Sequence, residues 1–210
     1  MLYSPVVTER DIEENHRIYV ERRNIYKEKG FDFAVGREFI LRKAGELSGS
    51  ILEVGTGSGD MTVTLAKAGY KITAVDKDAE SLKKSALNLV YENLLSKVVF
   101  YEMDAEKLDF PDKSFNNIVC VNSFHHIKSV DRVLSEMSRV LCKNGKLLLA
   151  DFNEKGMAVV GEVHKNEGRV HEDIGPGRAH IYSFLAKNGY KIESYEEQYH
   201  WVLICSKNPE

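Results

Sequence analysis

Residues 51–60 read Ile51-Leu52-Glu53-Val54-Gly55-Thr56-Gly57-Ser58-Gly59-Asp60, an apolar run that breaks into three glycines at alternate positions. Apolar residues then recur with a helical period from Met61 through Leu65 to Ala68, so the stretch predicts a buried strand, a tight turn and a helix start. Glycine serves such a turn because it accepts positive φ and lets the backbone approach a ligand closely. The helix beyond offers unpaired N–H groups to a polar or anionic ligand. A dinucleotide fingerprint, G-x-G-x-x-G, needs glycine where this chain has Asp60. A nicotinamide-dependent oxidoreductase therefore fails at one defining residue. An ordinary strand-to-helix turn would also explain three glycines, so the flanking segments must decide.

Outward from the loop, strands and helices alternate. Lys71–Val75 is a second strand ending at Asp76, 23 residues after Glu53. An acidic side chain there can accept hydrogen bonds from both hydroxyls of a ribose. Val98–Met103 is a third strand, followed by Asp104-Ala105-Glu106. Ile118–Val121 is a fourth and Lys146–Phe152 a fifth. Helical spacing fills the gaps at about 79–94 and from Val130 to Leu141, with Asn144-Gly145 closing the latter. This alternation predicts a parallel sheet with helices on both faces. Two last strands, about 190–197 and 200–206, are too close to pair other than antiparallel. Upstream, residues 8–30 form a charged helix, acidic early and basic late (Arg22, Arg23, Lys27, Lys29), ending at Gly30. The basic cluster reads as a solvated face, and a second helix at about Phe33–Ala44 leads into the glycine loop.

Composition narrows the class. A length of 210 residues suits one domain with a substantial core. With 43% hydrophobic and 29% charged residues the chain is globular. A net charge of −3 gives no general attraction to nucleic acid or anionic membranes. No apolar run approaches the ~20 residues of a membrane span. The start, Met1-Leu2-Tyr3-Ser4-Pro5, does not read as a signal peptide, and Cys120, Cys142 and Cys205 read as reduced thiols, so a cytoplasmic location is expected.

The form Glu-x-Gly-x-Gly-x-Gly resembles the first motif of class I S-adenosylmethionine-dependent methyltransferases. Asp104-Ala105-Glu106-Lys107-Leu108-Asp109-Phe110-Pro111 is similar to that family's D-A-E-x-L-P-F, and Arg139-Val140-Leu141-Cys142-Lys143-Asn144-Gly145 to its R-V-L-K-P-G-G. The resemblance covers about residues 36–206. It implies a Rossmann-like, doubly wound α/β/α fold whose seven-stranded sheet has order 3-2-1-4-5-7-6. It implies one domain over residues 1–210, with an N-terminal helical cap at about 8–45. It also implies that Glu53, Gly55, Thr56, Gly57, Gly59, Asp76, Lys77, Asp104, Ala105 and Asn122 bind S-adenosylmethionine. Phe115-Asn116-Asn117-Ile118 departs from the usual F-D-x-I, at a position whose acidic residue is generally structural.

The expected activity is in-line methyl transfer to a small-molecule acceptor; a catalytically silent cofactor-binding or interaction protein is the alternative. Open parallel sheets bind ligands beyond their strand carboxyl ends, where the fourth strand runs into Val121-Asn122-Ser123-Phe124-His125-His126. His125 or His126 is the candidate base, because imidazole titrates near neutrality. Asp151 and Asn153 resemble part of the Asp/Asp/Asn magnesium set of catechol methyltransferases, but Asn122 stands where a carboxylate is wanted, so no metal is assigned. Residues 153–180 carry His164, His171 and His180 and form either a solvated loop or a lid with one short helix around Met157–Val163.

Overall fold

The computed structural model describes residues 1–4, 7–168 and 175–207. The strands are β1 (Leu2–Tyr3), β2 (Ile51–Val54), β3 (Ile72–Asp76), β4 (Val98–Glu102), β5 (Phe115–Val121), β6 (Leu141–Phe152), β7 (Tyr190–Glu196) and β8 (His200–Lys207). They form one sheet of order β1-β4-β3-β2-β5-β6-β8-β7. From β4 to β6 all neighbours are parallel, while β8 runs antiparallel to both β6 and β7. Without β1 this is the expected seven-stranded order. The eighth strand, antiparallel to β4, pairs only Leu2 with Tyr101 and Tyr3 with Phe100, a pairing too short to give a periodic signal.

The helices are α1 (Glu9–Glu28), α2 (Phe33–Ala44), α3 (Asp60–Lys67), α4 (Ala79–Tyr91), α5 (Val130–Val140), α6 (Glu154–Asn166) and α7 (Arg178–Lys187). Side chains alternate across the sheet, as a strand period of two requires. Leu52 and Val54 join a core with Val133, Leu134 and Met137 of α5 and Ile181 and Leu185 of α7. Ile51 joins the other core, with Ile40 of α2, Met61 and Leu65 of α3, and Leu82 and Ala86 of α4. Glu53, on the same face as Ile51, is thereby delivered to the α2–α3 side.

Two local expectations are corrected. Helix α5 stops at Val140, not at Asn144-Gly145, and β6 begins directly at Leu141, opposite Phe115. Leu141 is needed in the core, and a Cβ on Gly145 would press on Leu141 and on the Asn116 carbonyl. Residues 154–166 are a full helix, so the segment after β6 is less loop than its glycines suggest. Its N-cap is Asn153, whose side chain accepts from the Gly156 N–H. Asn153 Nδ2 in turn donates to the Glu197 and Gln198 carbonyls.

Candidate active site

A cleft of about 940 Å³ opens at the carboxyl ends of β2, β3, β4 and β5. Nine of the ten residues expected at a cofactor line it, from Glu53 and the loop through Asp76, Lys77, Asp104 and Ala105 to Asn122; Gly59 is the exception. The three glycines have positive φ of 76°, 54° and 85°, but their surroundings differ. A Cβ on Gly57 would point into open space, one on Gly55 would strike Ser123, and one on Gly59 would strike Ser85 of α4. Gly57 therefore serves the ligand side, and Gly59 lets α3 pack on α4.

The loop is held from behind. Gly57 N–H donates to Asp76 Oδ2 at 2.8 Å, and Asp78 N–H to Asp76 Oδ1 at 3.0 Å. The Thr56 N–H and hydroxyl both reach the Val75 carbonyl. Asp104, exposed beyond β4, accepts from the Glu106 N–H at 2.9 Å. Two carboxylates thus stand at the carboxyl ends of the neighbouring strands β3 and β4.

At the other end, β5 finishes in Asn122, which has φ 56°, and turns through a short 3-10 segment over Phe124–His126. His125 is 7% exposed, and its Nδ1 lies 2.7 Å from Asp151 Oδ1. Asp151 Oδ2 also accepts the His125 backbone N–H at 3.0 Å. With a carboxylate oxygen facing it, Nδ1 is the ring nitrogen that carries a proton toward Asp151. His126 is exposed at the cleft rim. Asp151, considered above only for a metal, is the orienting partner of His125. Among the described residues no group of three or more His, Cys, Asp or Glu side chains is arranged to hold a metal.

The roof comes from α1 and α6. The Tyr19 hydroxyl donates to Asp60 Oδ1 at 2.8 Å, and Arg23 Nη2 lies 3.0 Å from the same oxygen. Asn15 Nδ2 donates to Asn88, whose own Nδ2 donates to the Ser58 carbonyl. Arg22 Nη2 is 2.9 Å from His164 Nε2, and Lys29 pairs with Glu162. Arg22, Arg23 and Lys29 are thus tied to other elements, while Lys27 stays on the solvated face expected. The Gly175 N–H returns to the His125 carbonyl at 3.1 Å. His180 pairs with Asp131, outside the cleft lining, and His171 lies outside the described residues.

Sequence reasoning missed Arg37, which is 3% exposed on α2 and carries no motif. With the Asn122 amide oriented by its hydrogen bonds, Asn122 accepts from Arg37 Nη1 at 3.3 Å and Nη2 at 2.8 Å. Nearby, burial pushes the Glu53 carboxyl up to about 8, with Arg37 offsetting part of the rise. The folded state therefore holds this proton to higher pH than the unfolded chain. The corresponding stability is full below about 4.5 and is lost as pH rises through about 8. Glu53→Gln is expected to be the more stable protein at pH 9, by roughly 3–5 kcal/mol at most, with the gap closing toward pH 5. Unfolding curves in matched buffers check this, and a pH-independent difference would contradict it.

A family profile described as a methyltransferase domain matches residues 52–149, from β2 through most of β6. Those matched residues are a methyltransferase domain. The chain is 29% identical over 175 residues to the ubiquinone/menaquinone biosynthesis C-methyltransferase UbiE of Rickettsia bellii, covering 80% of this chain and 64% of that one. The chain spans between half and two thirds of the length of the curated relatives it matches, 53% for the Hahella chejuensis protein of the same name. Among solved structures, a Methanococcus maripaludis protein superposes with a TM-score of 0.69 at 17% identity, covering 99% of both chains. A SAM dependent methyltransferase from Aquifex aeolicus gives 0.62 at 20% identity, covering 81% of this chain and 88% of that one. At such identities the methyltransferase domain shares the fold with these structures, and its chemistry must be argued from its own cleft.

Proposed function

We propose that this methyltransferase domain transfers a methyl group from S-adenosylmethionine to a small-molecule acceptor. The observation that carries the reading is one cleft that joins a glycine loop and two strand-end carboxylates to a buried His125–Asp151 pair. The buried orphan oxygen of Glu53 and the open space beside Gly57 suit a ligand with a cationic group and a closely approaching backbone contact. S-adenosylmethionine, when bound, supplies a methyl on a sulfonium that needs no further activation. Asp76 would hold the ribose hydroxyls, Asp104 and Ala105 the adenine edge, and the glycine loop the intervening atoms.

The protein's own contribution is alignment, dryness and proton handling. His125 or His126 would take a proton from the acceptor, and at His125 Asp151 holds the Nδ1–H and favours the imidazolium that results. The name of the Rickettsia bellii relative, a C-methyltransferase of quinone biosynthesis, supports a carbon acceptor as the first to try. We place α1 and α2 as the cap (8–45) and the region 153–180 as a lid within a single domain over 1–210. The ties from α1 to Asp60 and His164 support that arrangement. Among the described residues no helix is long and apolar enough to cross a membrane. A cytoplasmic setting without nucleic-acid partners belongs to the same proposal.

The test is formation of S-adenosylhomocysteine across an acceptor panel, with binding of S-adenosylmethionine compared against NAD. Tighter binding of NAD would sink the reading. Cofactor binding with no turnover on any acceptor would favour the silent alternative. Asp76→Ala is expected to weaken cofactor binding by roughly 10- to 100-fold, the usual range for a lost charge-assisted hydrogen bond. It also strips the Gly57 N–H of its acceptor, so the loop should exchange amide hydrogen faster. Calorimetry and hydrogen exchange on the one variant check both effects.

A further inference from the structure

His125 is held at both of its peptide groups as well as at its ring. Its backbone N–H and its Nδ1 meet the two oxygens of Asp151, at 3.0 and 2.7 Å. Its carbonyl accepts the Gly175 N–H at 3.1 Å. This last contact comes from the segment leading into α7, and it leaves no room for a side chain. A Cβ on Gly175 would overlap the Phe124 carbonyl and stand 2.9 Å from His125 Cα, closer than real side chains come to backbone. The φ of Gly175 lies outside the left-handed region, so the position demands glycine for space and not for its backbone angle.

The link that brings Gly175 there is stiff. Gly175-Pro176-Gly177 runs directly into α7, with Gly177 as its N-cap. Proline fixes its own φ and turns the residue before it away from helical backbone. Helix α7 is anchored by Ile181 and Leu185, both fully buried in the core that also takes Phe124. The Gly175–His125 contact therefore joins two elements seated in one core. A glycine kept only for packing would explain the missing side chain. It would not explain why its N–H meets the carbonyl of the residue that Asp151 already holds twice. Gly177, two residues on, has nothing near its Cβ position.

We infer that Gly175 is a positioning residue: together with Asp151 it fixes the backbone of His125, and so the place of the imidazole in the cleft wall. The inference rests on the proposed role of His125 as base and adds a second support to it, from a segment without a recognisable motif. Asp151 sets the direction of the ring through Nδ1, and Gly175 sets the peptide from which the ring hangs. Gly175 does not itself line the cleft, so it should act on rate and leave cofactor binding alone. A displacement of about 1 Å in a reacting group can cost on the order of 100-fold.

Nitrogen NMR spectra of the labelled imidazoles test this on the free protein, without relying on turnover. The His125 signals are assigned by their absence in His125→Asn. In the wild type, neutral His125 should carry its proton on Nδ1. Gly175→Ala should pass to a mixture of tautomers as the Asp151 contact loosens, while Gly177→Ala keeps the wild-type pattern. Methyl transfer by Gly175→Ala, on the acceptor that the panel identifies, should fall roughly 10- to 100-fold with cofactor affinity unchanged. Should Gly175→Ala fail to fold, the wild-type Gly175 amide answers instead. It should exchange with solvent far more slowly than an open-chain amide, and exchange at the open-chain rate overturns the contact. A folded Gly175→Ala protein with the wild-type imidazole pattern overturns the inference, and so does an equal disturbance in Gly177→Ala. A disturbed imidazole with unchanged methyl transfer would leave the support standing and remove His125 as the base.

Discussion

Replacing His125 with asparagine is expected to lower methyl transfer by roughly 100- to 10 000-fold, the range that a positioned general base contributes, with cofactor affinity almost unchanged. The reason is that Asp151 fixes His125 through its Nδ1 and its backbone N–H in the cleft wall, where the proposed base would act on the acceptor. Asp151→Asn should lose nearly as much, because an amide no longer fixes the proton on Nδ1 or favours the charged imidazolium. Asp151 also accepts the Phe152 N–H, so some thermal stability goes with it. Single-turnover rates beside calorimetry separate the two effects. A His125→Asn protein that turns over at the wild-type rate would show that the acceptor needs no proton removed.

The second large effect is expected at Gly57. A valine there must adopt φ near 54° and would place its branched side chain in the open space beside the loop. Cofactor binding should fall by more than about 100-fold, beyond the reach of ordinary calorimetry, while circular dichroism shows a folded protein. Gly55→Val should fail similarly, through collision with Ser123. Gly59→Val makes the useful contrast. Its Cβ meets Ser85 across the α3–α4 contact, so the loss should appear first in the unfolding temperature. A Gly57→Val protein with wild-type affinity would remove the loop from the binding site.

These three glycines show how far sequence reading reached. Their alternation announced a turn and a close approach, but not which glycine faces the ligand, because that depends on a serine 26 residues further on in α4. The sheet order followed from alternating strand and helix periods, which are local and therefore readable. Nine residues at strand ends and on the loop landed in one cleft, since a parallel sheet gathers its carboxyl ends on one edge. The His125–Asp151 pair was half seen. His125 stood out by type, whereas Asp151 had two readings and only the side-by-side pairing of β5 and β6 chose between them. Arg37 gave no signal at all: in the sequence it is one more charge on a mixed helix, and its burial is a tertiary fact. The basic end of α1 misled for the same reason, because Asp60, Glu162 and His164 come to meet it from elsewhere in the chain.

The small strand β1 bears on how the protein behaves when concentrated. It lies along the outer margin of β4, whose sequence Val98-Val99-Phe100-Tyr101-Glu102 is rich in strand-forming residues and whose Val99 is 47% exposed. Left bare, that margin would present a ladder of unpaired N–H and C=O groups to any passing chain, the usual starting point for edge-to-edge association. Two residues are enough to occupy the ladder opposite Phe100 and Tyr101, and their antiparallel direction closes the series instead of extending it. The far margin, β7, is guarded by its own charges, Lys191, Glu193 and Glu196. Colloidal protection of the sheet is thus divided between side chains at one end and a scrap of backbone at the other, and trimming Leu2 and Tyr3 would be felt as aggregation before it was felt in the cleft.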